Sequence, residues 1–328
     1  MFLLRFDMRT PGSSPARRSE LYAAALDMAA WAEQNGCLQL VVSEHHASED
    51  GYLPAPLVLA SMMAGRTRRI PIQIAALVLP LHDPIAVAEQ MAVLDIASGG
   101  RVSYLVAVGY RREEYAMFGR DFKDRGRRME ECLHALRQAW TGETFEFEGR
   151  PVRVTPRPTT PGGPGLLMGG KSAVAARRAA RFGLGMITQE GHPEIADVYR
   201  EECQRLGQTP GLMITPAAGS VTAGFVAEDP DRAWAEIGPY LLHDAKMYAK
   251  WQGEKQARKV GQFADTIEDL RAAAGIYRIF TPDEAVEHIR SAGVFISQPL
   301  TGGLPPDLAW PSLELLANQV LPRLPGGS

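Results

Sequence analysis

The sequence has little cysteine: three residues in 328, an odd number, scattered along the chain at Cys37, Cys132 and Cys203. Small secreted folds that depend on disulfides carry many cysteines in even number. The scarcity therefore argues against a disulfide framework. It predicts free, buried thiols in a reducing compartment, and hence a cytoplasmic protein.

An excess of charge and a long apolar run are also missing. The formal net charge is -3 and the pI is near 6.2, so no basic stripe is available to attract the phosphates of a nucleic acid. No segment approaches the roughly 18 apolar residues of a membrane span, and Met1–Asp7 reaches a charge too early for a signal peptide. The sequence predicts neither nucleic-acid nor membrane partners.

What is present is an alternation of short apolar runs with longer segments of helical period, which is typical of βα units around a parallel sheet. Strands are predicted at 2–8, 38–44, 72–79, 101–108, 165–168, 184–188, 219–227 and 293–298. Helices are predicted at 19–35, 55–66, 84–97, 113–140, 172–182, 193–206, 230–250 and 306–321. Eight of each favour a single (β/α)8 TIM barrel over residues 1–328.

Two stretches interrupt the alternation. Residues 141–164 predict a small hairpin and a proline-rich connector after the fourth helix. Residues 251–292 predict an extra helix, 282–291 capped by Thr281, before the eighth strand. The rival architecture, an open doubly wound sheet, normally places a glycine-rich fingerprint after its first strand, and Arg9–Ser14 is not one.

The second strand ends in Ser43-Glu44-His45-His46, three titratable side chains where a buried strand becomes a loop. In a barrel this edge carries the reactive groups, and neighbouring residues point to opposite sides, so at most two of the three face the mouth together. The cluster is a metal site, a structural cluster, or an imidazole that moves protons beside a cofactor. No second histidine-rich strand end is apparent, which favours the proton-transfer role without a metal.

Other strand ends carry small or polar residues. Ala75 and Ala76 end the third strand, and Gly109 permits a close approach at the fourth, where Arg111 and Arg112 bind an anion or are merely solvated. At the fifth, Gly169-Gly170-Lys171-Ser172 begins a helix, so free N–H groups, a lysine and a hydroxyl converge as in a phosphate site. The sixth ends in Thr188-Gln189-Glu190, whose role stays open.

Together these segments resemble the luciferase-like monooxygenase family of flavin-dependent barrel oxidoreductases. The resemblance is carried by Ser43–His46, Gly51–Pro56, Ala64–Ile70, Leu79–Pro84, Ala88–Gln90 through Leu94-Asp95 to Ser98–Arg101, Gly109-Tyr110 with Phe118-Gly119, and Gly169–Ser172. It runs over most of the chain and is most specific between residues 38 and 182.

The resemblance implies a reduced flavin or deazaflavin at the barrel mouth and no metal. His45 matches the family histidine that handles protons at the reactive edge of the ring. The implied cofactor-binding residues are Ala75, Ala76, Val108, Gly109, Tyr110, Gly169, Gly170, Lys171, Ser172 and Gln189. Of these, Ala75-Ala76 matches the segment behind the ring, commonly a cis peptide, and residues 169–172 match the phosphate region.

One position departs from the family pattern. Bacterial luciferases bind the FMN phosphate with an arginine where this chain has Val108, so Lys171, Arg111 or Arg112 substitutes, or the cofactor is the deazaflavin coenzyme F-420. FMN implies transfer of oxygen to a small organic substrate, and the deazaflavin implies hydride transfer. The resemblance also implies a homodimer and, with FMN, a separate flavin reductase.

Two other functions stay open at this point. One is a cofactor-free barrel hydrolase or isomerase that uses Glu44 and the histidines on a phosphate-bearing small molecule. The other is a homologue that binds flavin without catalysis.

Overall fold

The computed structural model describes residues 1–188, 192–217, 219–253, 257 and 264–324. The chain forms two compact units. The first comprises residues 1–41, 48–54 and 218–328, and the second comprises residues 42–47 and 55–217. One domain over residues 1–328 stays a prediction.

Twelve strands occur within the described residues. They are β1 Phe2–Phe6, β2 Gln39–Val42, β3 Ile72–Leu77, β4 Val102–Val106, β5 Phe145–Phe147, β6 Arg150–Val152, β7 Gly165–Gly169, β8 Gly185–Ile187, β9 Met213–Ile214, β10 Ala223–Val226, β11 Tyr277–Phe280 and β12 Phe295–Ser297. In the second unit, β3, β4, β7, β8 and β9 pair in that order, all parallel. In the first unit, β12, β1 and β2 are neighbours. These eight strands confirm the predicted α/β class.

The helices lie between the strands. They are α1 Pro15–Gln34, α2 Pro56–Arg66, α3 Pro84–Ser98, α4 Arg112–Met117, α5 Arg125–Ala139, α6 Ala173–Arg181, α7 Pro193–Arg205, α8 Pro230–Gln252, α9 Ile267–Ala272, α10 Pro282–Ala292 and α11 Pro306–Leu315. Asp83 caps α3 by accepting from the N–H groups of Ile85 and Ala86. Thr281 and Glu284 form a capping box on α10. Both predicted caps are confirmed.

Burial explains why the parallel strands form where they do. Along β4 the side chains of Val102, Tyr104 and Val106 are buried, and those between them are partly exposed. This period of two is that of a strand with one face in the core. The predicted hairpin in 141–164 is also present, since β5 and β6 pair antiparallel.

One predicted helix is wrong, and one predicted strand is present but pairs differently. Residues 113–140 are not one helix, because α4 ends before Gly119, whose φ of 62° breaks the helix, and α5 begins at Arg125. The predicted strand at 219–227 is present as β10, but it pairs with β11, a strand that the sequence did not predict. The strand that pairs with β8 is β9. The apolar run at 219–227 is the stronger local signal, but pairing decides which strand joins the sheet.

The cysteines behave as predicted. All three are buried and free, and burial raises the pKa of Cys37 to about 12 and that of Cys132 to about 11. Thiols with such values stay protonated and unreactive at neutral pH. Among the described helices, none combines the length and the apolar character that crossing a bilayer requires.

Candidate functional site

The carboxyl ends of the second unit's strands lie at a common level. Leu77 of β3 aligns with Val106 of β4, which aligns with Met168 of β7, and Met168 aligns with Met186 of β8. The segments that follow these strands therefore leave the sheet at one edge. This edge is where parallel α/β folds bind ligands.

The three titratable residues after β2 divide between two directions, as the strand alternation predicts. Glu44 and His46 contact each other, with Glu44 Oε1 2.8 Å from His46 Nε2. His45 turns the other way, toward Glu114 and Tyr110. The cluster therefore consists of two distinct networks that share one stretch of backbone.

His45 lies between a carboxylate and a phenol. Its Nδ1 is 2.8 Å from Glu114 Oε1, and its Nε2 is 3.3 Å from the hydroxyl of Tyr110. An ionised carboxylate only accepts hydrogen bonds, so the contact with Glu114 places the proton on Nδ1. In the neutral ring Nε2 is then the nitrogen without a proton, and the side chain of His45 is 11% exposed.

Glu114 is completely buried and is held by three donors. Besides His45, it accepts from the backbone N–H of His46 at 3.0 Å and from Arg111 Nη1 at 3.2 Å. Burial by itself raises the pKa of Glu114, but the hydrogen bond and charge of His45 and the other donors outweigh it and hold the pKa below its usual range. Glu114 is therefore an anion that favours a protonated His45.

Glu44 anchors the second network. Its Oε1 accepts from His46 and from His82, whose Nε2 is 2.6 Å away, and its Oε2 accepts from the backbone N–H of Val78. Burial raises the pKa of Glu44, but the hydrogen bonds from His46, His82 and Val78 lower it to about 2. The carboxylate is thus charged at all working pH values.

Small residues line the same edge. Ala75, Ala76, Val108 and Gly109 are partly exposed at the ends of otherwise buried strands, and the Ala75-Ala76 peptide is cis. Gly109 has φ of 68°, and a Cβ there lies 2.7 Å from Val78 Cγ1, so no larger residue fits without movement. These positions leave room for a flat group to approach the backbone.

The turn after β7 joins the same edge. A Cβ on Gly169 would come within 3.3 Å of Leu105 Cγ and 3.4 Å of Ala107 Cβ, and a Cβ on Gly170 within 2.8 Å of Ala175 Cβ. Ser172 caps α6 by accepting a hydrogen bond from the N–H of Ala175. The N-terminal end of the helix carries the positive end of the helix dipole, and the exposed Lys171 adds a positive charge beside it. Gln189, the remaining predicted residue, lies outside the described residues.

The arginines after β4 have other duties. Arg111 is buried and donates Nη1 to the carbonyl oxygen of His46 at 2.7 Å as well as to Glu114. The guanidinium of Arg112 lies over the ring of Phe122, 4.4 Å from its centroid. A solvated helix start was the simpler interpretation of both arginines from the sequence. It is wrong for the buried Arg111, whereas Arg112 is exposed at the first position of α4.

The first unit contains a separate cluster around Arg9, which the sequence did not indicate. The guanidinium forms ion pairs with the carboxylates of Asp7, Asp50 and Asp244, all buried. Burial and then the charge of Asp244 raise the pKa of Asp7 to about 7. Three carboxylates thus share one buried guanidinium. The four residues of this cluster lie too far apart in the sequence to form a motif.

The sequence profile of the luciferase-like monooxygenase family matches residues 2–293. This chain belongs to that family. The resemblance carried by the strand-end segments is thereby confirmed, and the comparisons give no support to the hydrolase alternative.

A curated relative and two solved structures illustrate the similarity. Over 176 residues the chain is 30% identical to the alkanal monooxygenase alpha chain of Photorhabdus laumondii subsp. laumondii, which covers 50% of this chain and 48% of that protein. The chain spans about half the length of the curated relatives it matches.

The structural matches cover nearly the whole chain. The oxygenating constituent of 3,6-diketocamphane monooxygenase from Pseudomonas putida, solved with FMN, is 18% identical with a TM-score of 0.74, and the match covers 98% of each chain. The coenzyme F-420 dependent tetrahydromethanopterin reductase of Methanopyrus kandleri is 16% identical with a TM-score of 0.64, again over 98% of each chain. At these identities the likeness shows that the chain shares their fold.

Two site residues escaped the sequence interpretation. Glu114 lies 69 residues beyond His45, and His82 lies 38 residues beyond Glu44. A usable signal existed: His82 follows β3, Glu114 follows β4, and the carboxyl ends of the strands of one parallel sheet meet at one edge. His82 also corrects the statement that no other strand end supplies a metal-ligating partner for the histidine cluster.

Proposed function

We propose that this chain is an oxidoreductase that uses reduced FMN or coenzyme F-420 to oxidise or reduce a small organic substrate. The observation that carries the proposal is the geometry of His45, whose Nδ1 is held by Glu114 and whose Nε2 faces Tyr110. Membership of the luciferase-like monooxygenase family supports the same reaction class. So do fold neighbours that work with FMN and with coenzyme F-420.

The residues of the second unit fit such a cofactor. Ala75, Ala76 and Val108 are small or medium-sized side chains that are partly exposed at this edge. A Cβ on Gly109 or Gly170 would come within 2.8 Å of Val78 or Ala175, so both positions require glycine. This edge suits a flat ring, and the first turn of α6 with Lys171 suits a phosphate.

When bound, the cofactor supplies the redox chemistry: reduced FMN activates oxygen, and the deazaflavin transfers hydride. The chain's own residues manage protons and position. His45 gives or takes a proton at Nε2, and the buried anion of Glu114 stabilises the imidazolium that forms. Tyr110 keeps Nε2 oriented through its hydroxyl.

The start of α6 is the part of the site best suited to bind the cofactor phosphate. Val108 provides no charge, and the guanidinium of Arg111 is committed to Glu114 and His46. We therefore assign the phosphate to the N–H groups at the start of α6 together with Lys171. This assignment holds for the FMN and the deazaflavin alike, since both carry a phosphate.

We propose a homodimer and, if the cofactor is FMN, a separate flavin reductase as partner in the cytoplasm. The dimer is supported by four exposed apolar side chains on two neighbouring helices of the second unit. They are Val58 and Met62 on α2 and Val93 and Ile96 on α3. Single exposed apolar residues are common, but four of them on two helices that contact each other support an interface.

The test of this function is the variant His45→Ala. We expect turnover to fall by about 100-fold or more, the size of a general acid–base contribution, while cofactor affinity measured by absorbance titration stays close to that of the wild type. The variant His134→Ala, which alters an exposed histidine on α5, is the control. Wild-type turnover in His45→Ala contradicts the assigned role.

A further inference from the structure

We propose that Glu44, His46 and His82 form a binding site for one transition-metal ion of the Zn²⁺ type. The three side chains belong to the network of Glu44 and not to that of His45, and the proposed site does not depend on the proposed reaction. The three side chains come from the segments that follow β2 and β3, so the fold brings them together although they are distant in sequence.

The convergence of the ligand atoms carries the inference. Glu44 Oε1 is 2.8 Å from His46 Nε2 and 2.6 Å from His82 Nε2, and one ligand atom from each of the three residues lies within 4.8 Å of the others. Two imidazoles thus aim the same nitrogen at one carboxylate oxygen. At present the two hydrogen bonds to Glu44 Oε1 place one proton on each nitrogen. A cation bound to the same three atoms replaces these two protons.

The surroundings provide both rigidity and access. Glu44 and His46 are buried, and the second carboxylate oxygen of Glu44 is fixed by the N–H of Val78. The ring of Phe118 packs against His46 with centroids 4.7 Å apart. The side chain of His82 is 19% exposed, which gives an ion a route from solvent. Fixed ligands with an entry path are what a metal site requires.

The donor set selects the class of ion. Two imidazole nitrogens and one carboxylate oxygen match the His₂Glu sets that hold Zn²⁺, with a fourth position left for water. Mg²⁺ and Ca²⁺ prefer all-oxygen sites and are disfavoured. Binding requires both nitrogens without protons, so each neutral ring moves its proton from Nε2 to Nδ1.

The rearrangement needed is small. Tetrahedral ligands at the usual zinc distances lie about 3.3 Å apart, so each nitrogen must move away from Glu44 Oε1 by roughly half an ångström. The ligand atoms now lie within 4.8 Å of one another, so the two nitrogens also move toward that spacing. The partly exposed His82 has the freedom to make this movement. Because His45 lies between two of the ligands in sequence, we expect bound metal to lower turnover as well.

The experiment is a titration of the cofactor-free protein with Co²⁺, followed by the visible absorption of tetrahedral cobalt and by competition with Zn²⁺. The diagnostic variant is His82→Gln, because a glutamine amide still donates a hydrogen bond to Glu44 but is no imidazole ligand. His46→Gln is the second variant, and His134→Gln, at an exposed position on α5, is the matched control.

We expect one Co²⁺ per wild-type chain, displaced by Zn²⁺. Affinity should fall by more than about tenfold in His82→Gln and in His46→Gln, since losing even an outer partner of a metal site costs that much. The control His134→Gln should bind as the wild type does. No tetrahedral cobalt spectrum, or equal affinity in all four proteins, overturns the proposal, and neither result bears on whether a flavin binds.

Discussion

Glu114 determines how His45 is presented. It holds Nδ1 of His45 at 2.8 Å, and the guanidinium of Arg111 and the N–H of His46 hold Glu114 in turn. A carboxylate that fixes an imidazole in this way sets both the tautomer and the stability of the protonated form. We therefore regard Glu114 as a positioning residue for the proposed proton transfer.

The variant Glu114→Gln tests this role, because it keeps the size and the accepting oxygen but removes the charge. The protonated imidazole loses a favourable neighbour, so the limb of the pH–rate profile due to His45 should move to lower pH by about one unit or more. We also expect kcat to fall. The measurement is the pH dependence of kcat/KM.

The matched control is Glu113→Gln, which removes the same charge from an exposed neighbour on α4. Its profile should coincide with that of the wild type. A Glu114→Gln profile that does not move, or a shift of equal size in both variants, contradicts a specific effect of Glu114 on His45.

At the level of single residues, the sequence predicts part of the site. His45 follows from the segment Ser43–His46, because a charged segment at a strand end stands out against a buried strand. The opposite directions of Glu44 and His45 follow from strand alternation. The partners Glu114 and His82 do not follow, since their pairings depend on which strands become neighbours.

Among the helices, α2 and α3 carry the apolar surface that we assign to the dimer. Val58 and Met62 are four residues apart on α2, so they share one face, and Val93 and Ile96 are three apart on α3. Their exposed fractions range from 40% to 61%. Solvent-facing positions of a helix are normally polar, which makes this surface an exception.

The variant Met62→Glu should separate the dimer into monomers, because a charge buried without a partner opposes association. Light scattering of the purified protein gives the mass directly. Val174→Glu, at a similarly exposed apolar position on α6, is the control and should leave the dimer intact. A monomeric wild type, or identical masses for the wild type and Met62→Glu, contradicts the assigned interface.

At the level of helices and strands, local sequence signals predict most of the fold. Caps such as Asp83 and Thr281 work through contacts within one turn, so the sequence contains all the information they need. The break at Gly119 and the strand β11 were missed. A glycine is compatible with both helix and turn, and a four-residue strand is defined by its partner β10.

Over the whole chain, the ordered series of strand-end segments carried the resemblance to the family, and the match of the family profile to residues 2–293 confirms it. Composition could not predict the acidic cluster around Arg9 in the first unit, because its members come together only through folding. The sequence also does not determine the cofactor. Val108 stands where bacterial luciferases have the arginine that binds the FMN phosphate, so that indication of FMN is missing here.

The measurement that tests the central claim most directly is an absorbance titration of the purified protein with FMN and with coenzyme F-420, each in oxidised and reduced form. We expect tight binding of one of them, and turnover of an organic substrate that depends on its reduced or oxidised form. Binding of FMN indicates oxygen transfer, and binding of the deazaflavin indicates hydride transfer. If neither cofactor binds, the account of this chain as a flavin-type oxidoreductase is wrong.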